Sequence, residues 1–331
     1  MDPFIEIKNL VKDFYGRGLL NRRKLAVRAV DRVSFDIHRN TVFGLVGESG
    51  CGKTTLVRSI LYLDPPTSGE IRIDGTSLGN LSSHQLRSFR RRMQIVFQDP
   101  NSALNPKMRI EDSLAEGLVN RRFPAAERDR RIKRLLDLVG IATTHRSRFP
   151  HEFSGGQKQR IVIARALCME PDFLVLDEPV SNLDVSIQAQ IINLLLDLKK
   201  ELELTYLFIS HDLNLVGYFS DRLAVMYQGR LVELASADEI MRNPCHPYTR
   251  KLFSSVPGKH TAIGEAAPAD DDGGDNAGLE SSGGKIAALS DACCTYADEC
   301  LIGDQQCKTD EPDLTEIAAG HRIACFKSNG S

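Results

Sequence analysis

The chain has 331 residues, 42% of them hydrophobic, and a formal net charge of −2. This length allows one large domain with a smaller appendage, and the near-neutral charge gives no support for nucleic acid as the main partner. No apolar run approaches the roughly 18–20 residues that span a bilayer. Because the N-terminus also has no basic segment followed by an apolar one, we predict no secretory signal. We therefore expect a protein kept in the cytosol, with any membrane role passing through a partner.

Strands and helices alternate along most of the chain. Apolar, β-branched runs predict buried strands at Thr41–Val46, Phe173–Leu176 and Tyr206–Ile209. One helical pattern repeats apolar residues at steps of three and four, at Ile187, Ile191, Leu194, Leu195, Leu198 and Leu202. The alternation predicts an α/β domain over residues 1–258 with a largely parallel sheet. Residues from about 99 to 160 show helical patterns without a clear strand, so we predict a helical subdomain inserted there.

A glycine-rich loop follows the first of these strands and precedes a predicted helix at Thr55–Leu61. It fits the pattern G-x-x-x-x-G-K-[ST], with the sequence Gly47-Glu48-Ser49-Gly50-Cys51-Gly52-Lys53-Thr54. Strand, loop and helix in this order predict a phosphate-binding site, because glycines let backbone N–H groups point inward and the helix N-terminus adds its positive dipole end. Lys53 would bridge the β- and γ-phosphates, and the Thr54 hydroxyl would ligate Mg²⁺.

Two carboxylates end a later apolar strand, in the segment Phe173-Leu174-Val175-Leu176-Asp177-Glu178. Asp177 is placed to hold the hydration shell of Mg²⁺. Glu178 is a candidate general base that polarises the attacking water. A strand ending in Asp-Glu is ordinary by itself, and it indicates hydrolysis of a nucleoside triphosphate only in combination with the phosphate-binding loop.

A second glycine-rich turn lies between these two elements and opens a predicted helix at Gln157–Leu167. Its sequence is Phe153-Ser154-Gly155-Gly156-Gln157-Lys158-Gln159-Arg160. It resembles the signature of ABC ATPases, which usually begins Leu-Ser-Gly-Gly-Gln. The resemblance implies a P-loop NTPase of the ABC type, with a RecA-like core, an inserted helical subdomain and an antiparallel β subdomain. It also implies that Ser154, Gly155, Gly156 and Gln157 act in trans, on the γ-phosphate of ATP held by a second ATPase subunit stacked head to tail.

The remaining motifs of that family follow in the expected order. Gln98 resembles the Q-loop glutamine that touches Mg²⁺, Ser181 and Asp184 lie in a segment similar to the D-loop, and His211 resembles the switch histidine that contacts the γ-phosphate. Tyr15 is the residue we predict to stack on adenine, with Phe14 as the alternative. The resemblance thus assigns catalysis to Glu178, His211 and Lys53, Mg²⁺ to Thr54, Gln98 and Asp177, and ATP binding to Tyr15, Gly47, Ser49, Gly50, Cys51, Gly52, Lys53, Thr54, Thr55 and Gln98.

Segments at 98–106, 150–153, 184–190 and 243–249 are similar to the ATPases of di- and oligopeptide or nickel importers. The resemblance implies an ATP-hydrolysing subunit that energises peptide uptake from the cytoplasmic face of the membrane. Its partners would be a second ATPase subunit, often a different chain in relatives, two permeases and an extracytoplasmic substrate-binding protein. Import of nickel or another small solute is the alternative, because this chain does not encode substrate choice. A soluble ABC ATPase acting on nucleic acid fits less well, since such chains usually carry tandem ATPase domains or a coiled-coil insertion.

The composition changes after Gly258, where Ala, Gly, Asp and Ser become dominant. Such a segment buries too little apolar surface to order itself, so we predict a flexible linker at 259–289. Residues 290–326 then form a cysteine-rich module with the spacing Cys294-x5-Cys300-x6-Cys307-x17-Cys325. Structural disulfides are disfavoured in the cytosol, whereas four thiolates suit an iron–sulfur cluster or structural zinc.

The cysteine spacing is similar to that of the C-terminal module of many peptide-importer ATPases, which in relatives carries a four-iron four-sulfur cluster. The resemblance implies that Cys294, Cys300, Cys307 and Cys325 are its ligands, with zinc or unligated thiols as alternatives. A metal would supply the folding free energy of a module that has too little apolar sequence for a core of its own. Cys293 is interpreted as a spare cysteine, since neighbouring residues rarely both ligate one metal. His321 is interpreted as a structural residue, with a ligand in a zinc site as the alternative.

Overall fold

The computed structural model describes residues 2–17, 23–254 and 293–327; the predicted linker at 259–289 lies outside them. The strands are β1 (Ile5–Arg17), β2 (Arg23–Ile37), β3 (Val42–Val46), β4 (Ser68–Ile73), β5 (Thr76–Ser77), β6 (Met93–Val96), β7 (Phe173–Asp177), β8 (Thr205–Ile209), β9 (Arg222–Tyr227), β10 (Arg230–Ser236), β11 (Thr315–Ala318) and β12 (His321–Ile323). The helices are α1 (Lys53–Ile60), α2 (Ser83–Phe89), α3 (Pro100–Ala103), α4 (Ile110–Asn120), α5 (Ala125–Leu138), α6 (Gly155–Leu167), α7 (Val185–Leu202), α8 (Leu213–Phe219), α9 (Ala237–Arg242), α10 (Pro247–Ser254) and α11 (Gln305–Thr309). Short 3₁₀ turns lie at Leu78–Asn80, Thr143–His145 and Pro150–Glu152.

An eight-stranded sheet in the order β11-β12-β10-β9-β3-β8-β7-β6 forms the centre of the fold. Its pairings β6–β7, β7–β8, β8–β3 and β3–β9 are parallel. Residues of β3 alternate between two apolar clusters, with Val42 and Val46 on one face and Phe43 and Leu45 on the other. Parallel strands covered on both faces are apolar throughout, and all of β3 is buried. The predicted α/β fold is therefore confirmed.

A second sheet, in the order β2-β1-β4-β5, is antiparallel throughout. Its apolar side chains, among them Ile7 and Ile71, join Leu56 and Ile60 of α1 in one cluster with Phe43 of the central sheet. Helix α1 is thus packed between the two sheets. The glycine-rich loop that precedes α1 consequently lies where the two sheets meet.

The segment between β6 and β7 forms α3 to α6 and no strand, where the sequence predicts a helical insertion. Asp99 begins α3 by accepting two backbone N–H groups, and Ser154 and Gln157 cap α6 reciprocally. Apolar residues of these helices, such as Leu136 and Ile163, enter the cluster on one face of the central sheet. The helices therefore pack against the parallel strands and do not form a detached unit.

The C-terminal residues continue the central sheet. Strand β12 pairs antiparallel with β10, where Glu233 lies opposite Ile323, and Tyr296 is buried in the main apolar cluster with 4% of its surface exposed. The expectation that this module has no core of its own agrees with its packing on the core of the larger domain. No helix in the described part of the chain is long and apolar enough to cross a membrane.

An ion-pair network also holds the C-terminal residues. Arg230 donates its Nε to Asp31 at 2.6 Å, and its Nη1 lies 2.5 Å from Glu311 Oε1; Arg32 pairs with the same two carboxylates. Burial alone would raise the pKa of Asp31, but the hydrogen bond from Arg32 and the charge of Arg230 lower it below its usual value. Through Arg32 and Arg230, Glu311 is thereby linked to the buried carboxylate of Asp31 in β2 and to β10.

Candidate nucleotide-binding site

The glycine-rich loop leaves β3 at the carboxyl end of the parallel strands, the edge at which α/β folds bind ligands. It borders an open cleft of about 710 Å³. The cleft is lined by Phe14, Val27, Ala29, Gly47, Ser49, Gly50, Gly52, Lys53, Thr54, Thr55, Gln98, Asp177, Glu178, Ile209 and His211. The structure thus brings together most of the residues that the sequence assigns to ATP, Mg²⁺ and catalysis; Tyr15 and Cys51 are not among the lining residues.

Two glycines let the loop lie directly against neighbouring backbone. Gly47 has φ +154° and Gly52 has φ +111°, conformations that other residues rarely adopt. A Cβ atom on Gly52 would lie 2.2 Å from the carbonyl oxygen of Ala29, and one on Gly47 would lie 2.2 Å from that of Met226. Because both obstacles are backbone atoms, no change of rotamer could make room, and the loop requires glycine at both positions.

Lys53 is buried inside the curve of the loop, with 9% of its surface exposed. Its Nζ donates to the carbonyl oxygens of Gly47 at 2.7 Å and Glu48 at 2.9 Å. The Cys51 side chain is buried among apolar residues, and its Sγ lies 3.7 Å from Lys53 Nζ. Burial raises the pKa of the Cys51 thiol, although the charge of Lys53 acts in the opposite direction. The Cys51 side chain therefore packs beneath the loop and does not line the cleft.

Glu178 is held by polar side chains that follow two other strands. Its Oε2 accepts a hydrogen bond from Gln98 Nε2 at 2.9 Å and lies 3.2 Å from His211 Nδ1. Gln98 Nε2 also donates to Ser181 Oγ at 3.1 Å. Glu178 has φ +49°, a left-handed conformation that costs a residue other than glycine about 1–3 kcal/mol. Strain of this kind occurs mainly where function requires a side chain in a particular place.

Asp177 ends β7 beside Glu178. Burial raises its pKa, the neighbouring Glu178 carboxylate raises it further, and the charge of Lys53 lowers it. A cation bound nearby would favour its ionised form. Thr54, Gln98 and Asp177 all line the cleft, and their oxygen atoms are ligands of the type that Mg²⁺ prefers. The three residues therefore fit the predicted magnesium site.

The two residues predicted as candidates for stacking on adenine differ in their position relative to the cleft. Phe14 lines the cleft, whereas Tyr15, the residue predicted from the sequence, does not. The two are neighbours in β1, at a point where its pairing with β2 shifts register. Both rings are substantially exposed, 41% for Phe14 and 51% for Tyr15, so neither is committed to a core. Phe14, the predicted alternative, is the aromatic residue available for stacking in this cleft.

The signature residues begin α6 away from the cleft, and none of Ser154, Gly155, Gly156 and Gln157 lines it. Ser154 and Gln157 are exposed. Asp184 of the D-loop segment caps α7 by accepting the Ile187 N–H at 2.9 Å, and that hydrogen bond lowers its pKa. The arrangement leaves the signature turn accessible to another subunit.

Comparisons with known proteins identify the family to which this chain belongs. The ABC transporter family matches residues 30–181, and the oligopeptide/dipeptide transporter C-terminal region matches residues 232–307. The oligopeptide transport ATP-binding protein OppF of Bacillus subtilis (strain 168) is 51% identical over 260 residues, 77% of this chain and 83% of that protein. The chain belongs to the ABC transporter family.

Another relative of this ABC protein covers more of its length, and a solved structure resembles its fold. A protein of Brucella ovis, provisionally named a peptide import ATP-binding protein, is 44% identical over 328 residues, which is 99% of this chain and 98% of its own length. A dimeric ATP-binding cassette in a post-hydrolysis state, bound to ADP and Pi, superposes with a TM-score of 0.62 at 28% identity, covering 70% of this chain and 98% of that chain.

The cleft of this ABC protein also contains residues that the sequence motifs do not identify. Val27 and Ala29 of β2 and Ile209 of β8 supply apolar lining. Strand alternation places Val27 and Ala29 on one face, but nothing in the local sequence indicates that this face borders the loop. The Glu48 N–H donates to Tyr248 Oη at 3.1 Å, a contact between residues 200 positions apart. Contacts of this range leave no local pattern in a single sequence.

A second group of possible metal ligands lies at the junction with the C-terminal residues. Within the described ranges, donor atoms of Glu233, Cys245 and His321 lie within 4.8 Å of one another. The Glu233 carboxylate already accepts the backbone N–H groups of Cys245 at 2.8 Å and His246 at 2.9 Å, and its Oε1 lies 2.8 Å from His321 Nε2. These contacts satisfy the hydrogen-bonding capacity of the buried Glu233 carboxylate. The contact between Glu233 and His321 also joins β10 to β12. In this geometry His321 makes a structural contact with Glu233.

Replacing Gly52 by alanine tests the close backbone approach. Gly75 is the matched control, since it has φ +72° and open space where a Cβ atom would lie. We expect G75A to cost only the strain of the left-handed conformation, about 1–2 kcal/mol of unfolding free energy, and to bind ATP as the wild type does. G52A should in addition weaken ATP binding by more than about tenfold, or 1.4 kcal/mol, measured by titration with Mg-ATP. Equal ATP affinities for the two variants would contradict the requirement for glycine at 52.

Proposed function

We propose that the chain is the ATP-binding and ATP-hydrolysing subunit of an ABC importer that takes up di- or oligopeptides. The observation that carries this proposal is the match to the oligopeptide/dipeptide transporter C-terminal region at residues 232–307, in the same chain as the nucleotide cleft. The relatives named for oligopeptide transport and peptide import support the same conclusion. Nickel or another small solute remains the alternative cargo, because permease and binding protein select it.

Hydrolysis in this cleft would depend on positioning and charge more than on covalent chemistry. The loop amides and Lys53 bind the phosphates. Thr54, Gln98 and Asp177 would hold Mg²⁺, which neutralises charge on the phosphate oxygens. Glu178 orients the attacking water as general base, and its contacts with Gln98 and His211 fix its carboxylate.

A second ATPase subunit would complete the site. The signature turn at Ser154–Gln157 is accessible and lies outside the cleft of its own chain. We propose that it closes over ATP bound to a partner subunit, and that the partner's turn closes over this cleft. The solved cassette with ADP and Pi that this chain resembles is a dimer. An isolated subunit should therefore bind ATP readily and hydrolyse it slowly.

A groove of about 750 Å³ between the helical insertion and β6 is the proposed docking site for a permease. It is lined in part by Phe97, Gly117, Asn120 and Met169, and Phe97 is 45% exposed. Phe97 directly precedes Gln98, which contacts Glu178, so a segment seated in the groove lies next to a residue of the catalytic cleft. Such docking would place the subunit on the cytoplasmic face of the membrane, with a substrate-binding protein on the other side.

Glu178→Gln tests the general base. The amide keeps the size of the side chain but cannot accept the proton, so we expect turnover to fall by about 10²–10⁴-fold while ATP binding is retained and a closed dimer accumulates. Phosphate release and size-exclusion chromatography with Mg-ATP measure the two effects. The control E170Q changes an exposed glutamate paired with Arg131 and should leave turnover unchanged. Turnover in E178Q close to that of the wild type would refute the assignment.

Copurification tests the importer assignment. The tagged full-length chain, expressed in its native host, should recover two permeases and a peptide-binding protein. Asn120→Trp fills the permease groove and should reduce permease recovery several-fold without changing ATP affinity. Asn80→Trp introduces the same ring at another exposed asparagine and should leave recovery intact. Recovery of the permeases with N120W at the wild-type level would exclude this groove as the docking site.

We further propose that the C-terminal cysteines hold a four-iron four-sulfur cluster. Burial and the nearby thiols of Cys307, Cys325 and Cys300 together raise the pKa of Cys294 to about 11, which indicates that the four thiols lie near one another. Four thiols near one another are the ligand set of a four-iron four-sulfur cluster. Structural zinc, which also takes four thiolates, is the alternative.

Metal analysis tests this proposal. Anaerobically purified protein should contain about four iron and four sulfide per chain and give an electron paramagnetic resonance signal after reduction. Cys307→Ser should lose the iron, whereas Cys293→Ser, which changes the cysteine adjacent to Cys294, should retain it. Stoichiometric zinc without iron would overturn the assignment.

A further inference from the structure

Tyr248 contacts the phosphate-binding loop without lining the cleft. The residue is fully buried in α10, and its hydroxyl oxygen accepts the Glu48 N–H at 3.1 Å. Burial raises the pKa of Tyr248 well above its usual range, so the hydroxyl is neutral at physiological pH. A neutral hydrogen bond from outside the cleft therefore fixes one peptide group of the loop.

The peptide that joins Gly47 to Glu48 is central to the geometry of the loop. Its N–H, that of Glu48, is held by Tyr248, and its carbonyl oxygen, that of Gly47, accepts Lys53 Nζ at 2.7 Å. A rotation of this peptide would therefore displace an acceptor that holds the lysine proposed to bind phosphate. The hydrogen bond to Tyr248 opposes such a rotation.

Tyr248 also belongs to a group of three packed rings, Tyr227, Tyr248 and Tyr296, which we call the tyrosine cluster. Ring centroids lie 4.5 Å apart for Tyr227 and Tyr248, 5.3 Å for Tyr227 and Tyr296, and 5.6 Å for Tyr248 and Tyr296. These separations are those of favourable aromatic pairs. Tyr296 lies between Cys294 and Cys300 in the sequence, so the cysteine module provides one of the three rings.

Polar contacts hold the same junction. Tyr227 donates its hydroxyl to Glu299 Oε1 at 3.0 Å, and Lys251 of α10 lies 2.7 Å from Glu299 Oε2. The turn that follows Tyr227 reaches the loop as well, because the Gly229 N–H donates to the Cys51 carbonyl oxygen at 2.8 Å. The cysteine module, α10 and the end of β9 thus form one packed unit that touches the loop at two points.

From these contacts we propose that Tyr248 is a positioning residue for the phosphate-binding loop, and that the tyrosine cluster couples the packing of the cysteine module to the affinity for ATP. This role rests on the ATP-binding function proposed above. The loop holds the phosphates in the bound state and in the transition state alike. Loss of the hydrogen bond from the loop to Tyr248 should therefore raise the Kd and KM for ATP and leave kcat nearly unchanged.

Tyr248→Phe in the full-length chain removes only the hydroxyl. We expect the Kd for Mg-ATP to rise about three- to tenfold, the effect of one lost hydrogen bond, with kcat of the assembled transporter within about twofold of wild type. Tyr206→Phe is the matched control: Tyr206 is also fully buried, and its hydroxyl donates to the Leu195 carbonyl oxygen at 3.0 Å. Y206F should lower the melting temperature comparably and leave the Kd unchanged.

The coupling to the module is tested with Tyr296→Leu and a double-mutant cycle. Y296L should weaken ATP binding in the wild-type background and have a smaller effect in the Y248F background, because both changes act through the same contact. Where Y296L does not fold, Tyr227→Phe replaces it, since it removes only the hydroxyl, which donates to Glu299 and accepts from Gln228 Nε2 at 3.2 Å. Fully additive effects of the two substitutions on Kd would overturn the coupling.

The outcomes separate this inference from the function on which it rests. A wild-type chain that does not bind Mg-ATP would remove the proposed function and the role of Tyr248 together. A wild-type chain that binds Mg-ATP, with Y248F binding it equally well or shifting no more than Y206F, would overturn the role of Tyr248 alone. A Kd increase specific to Y248F, with kcat retained, supports it.

Discussion

The backbone packing of the phosphate-binding loop is the constraint on which the rest of the site depends. Gly52 lies against the carbonyl of Ala29 in β2, and Gly47 lies against that of Met226 in β9, with no room for a Cβ atom at either place. These two strands belong to different sheets. The loop therefore takes its shape only when both sheets are in place, and the position of Lys53 inside the loop follows from that packing.

The parallel order of the central strands supplies the other half of the cleft. Gln98, Glu178 and His211 each follow a different strand, and adjacent parallel strands bring their carboxyl ends to one edge. Glu178 stands there in a left-handed conformation, held by the other two side chains. The proposed mechanism requires this carboxylate to be aimed at one water molecule, and the strained backbone together with two polar contacts restricts where it can point.

The simplest expectation for a cysteine-rich module is that a metal alone supplies its folding free energy. The contacts of the C-terminal residues show additional sources of stability. Here β12 extends the central sheet, Tyr296 enters the main apolar cluster, and Glu311 joins the buried network of Asp31 and Arg230. The packing, the sheet hydrogen bonds and the ion pairs stabilise the module in addition to any cluster that it binds. Its position beside the phosphate-binding loop follows from the same contacts.

The sequence by itself determined the family, the α/β class, the phosphate-binding loop and the carboxylate pair, because each of these is a local pattern whose spacing reflects local geometry. Predicted strands such as Tyr206–Ile209 differ from the observed ones by a single residue, since a buried parallel strand is apolar from end to end. Only the tertiary structure shows that Phe14 lines the cleft and that Tyr15, the adjacent and also exposed aromatic residue, does not. It alone brought Tyr248 to Glu48 and β12 to β10, because contacts between distant segments depend on how sheets and helices pack, and packing leaves no periodic trace in one sequence.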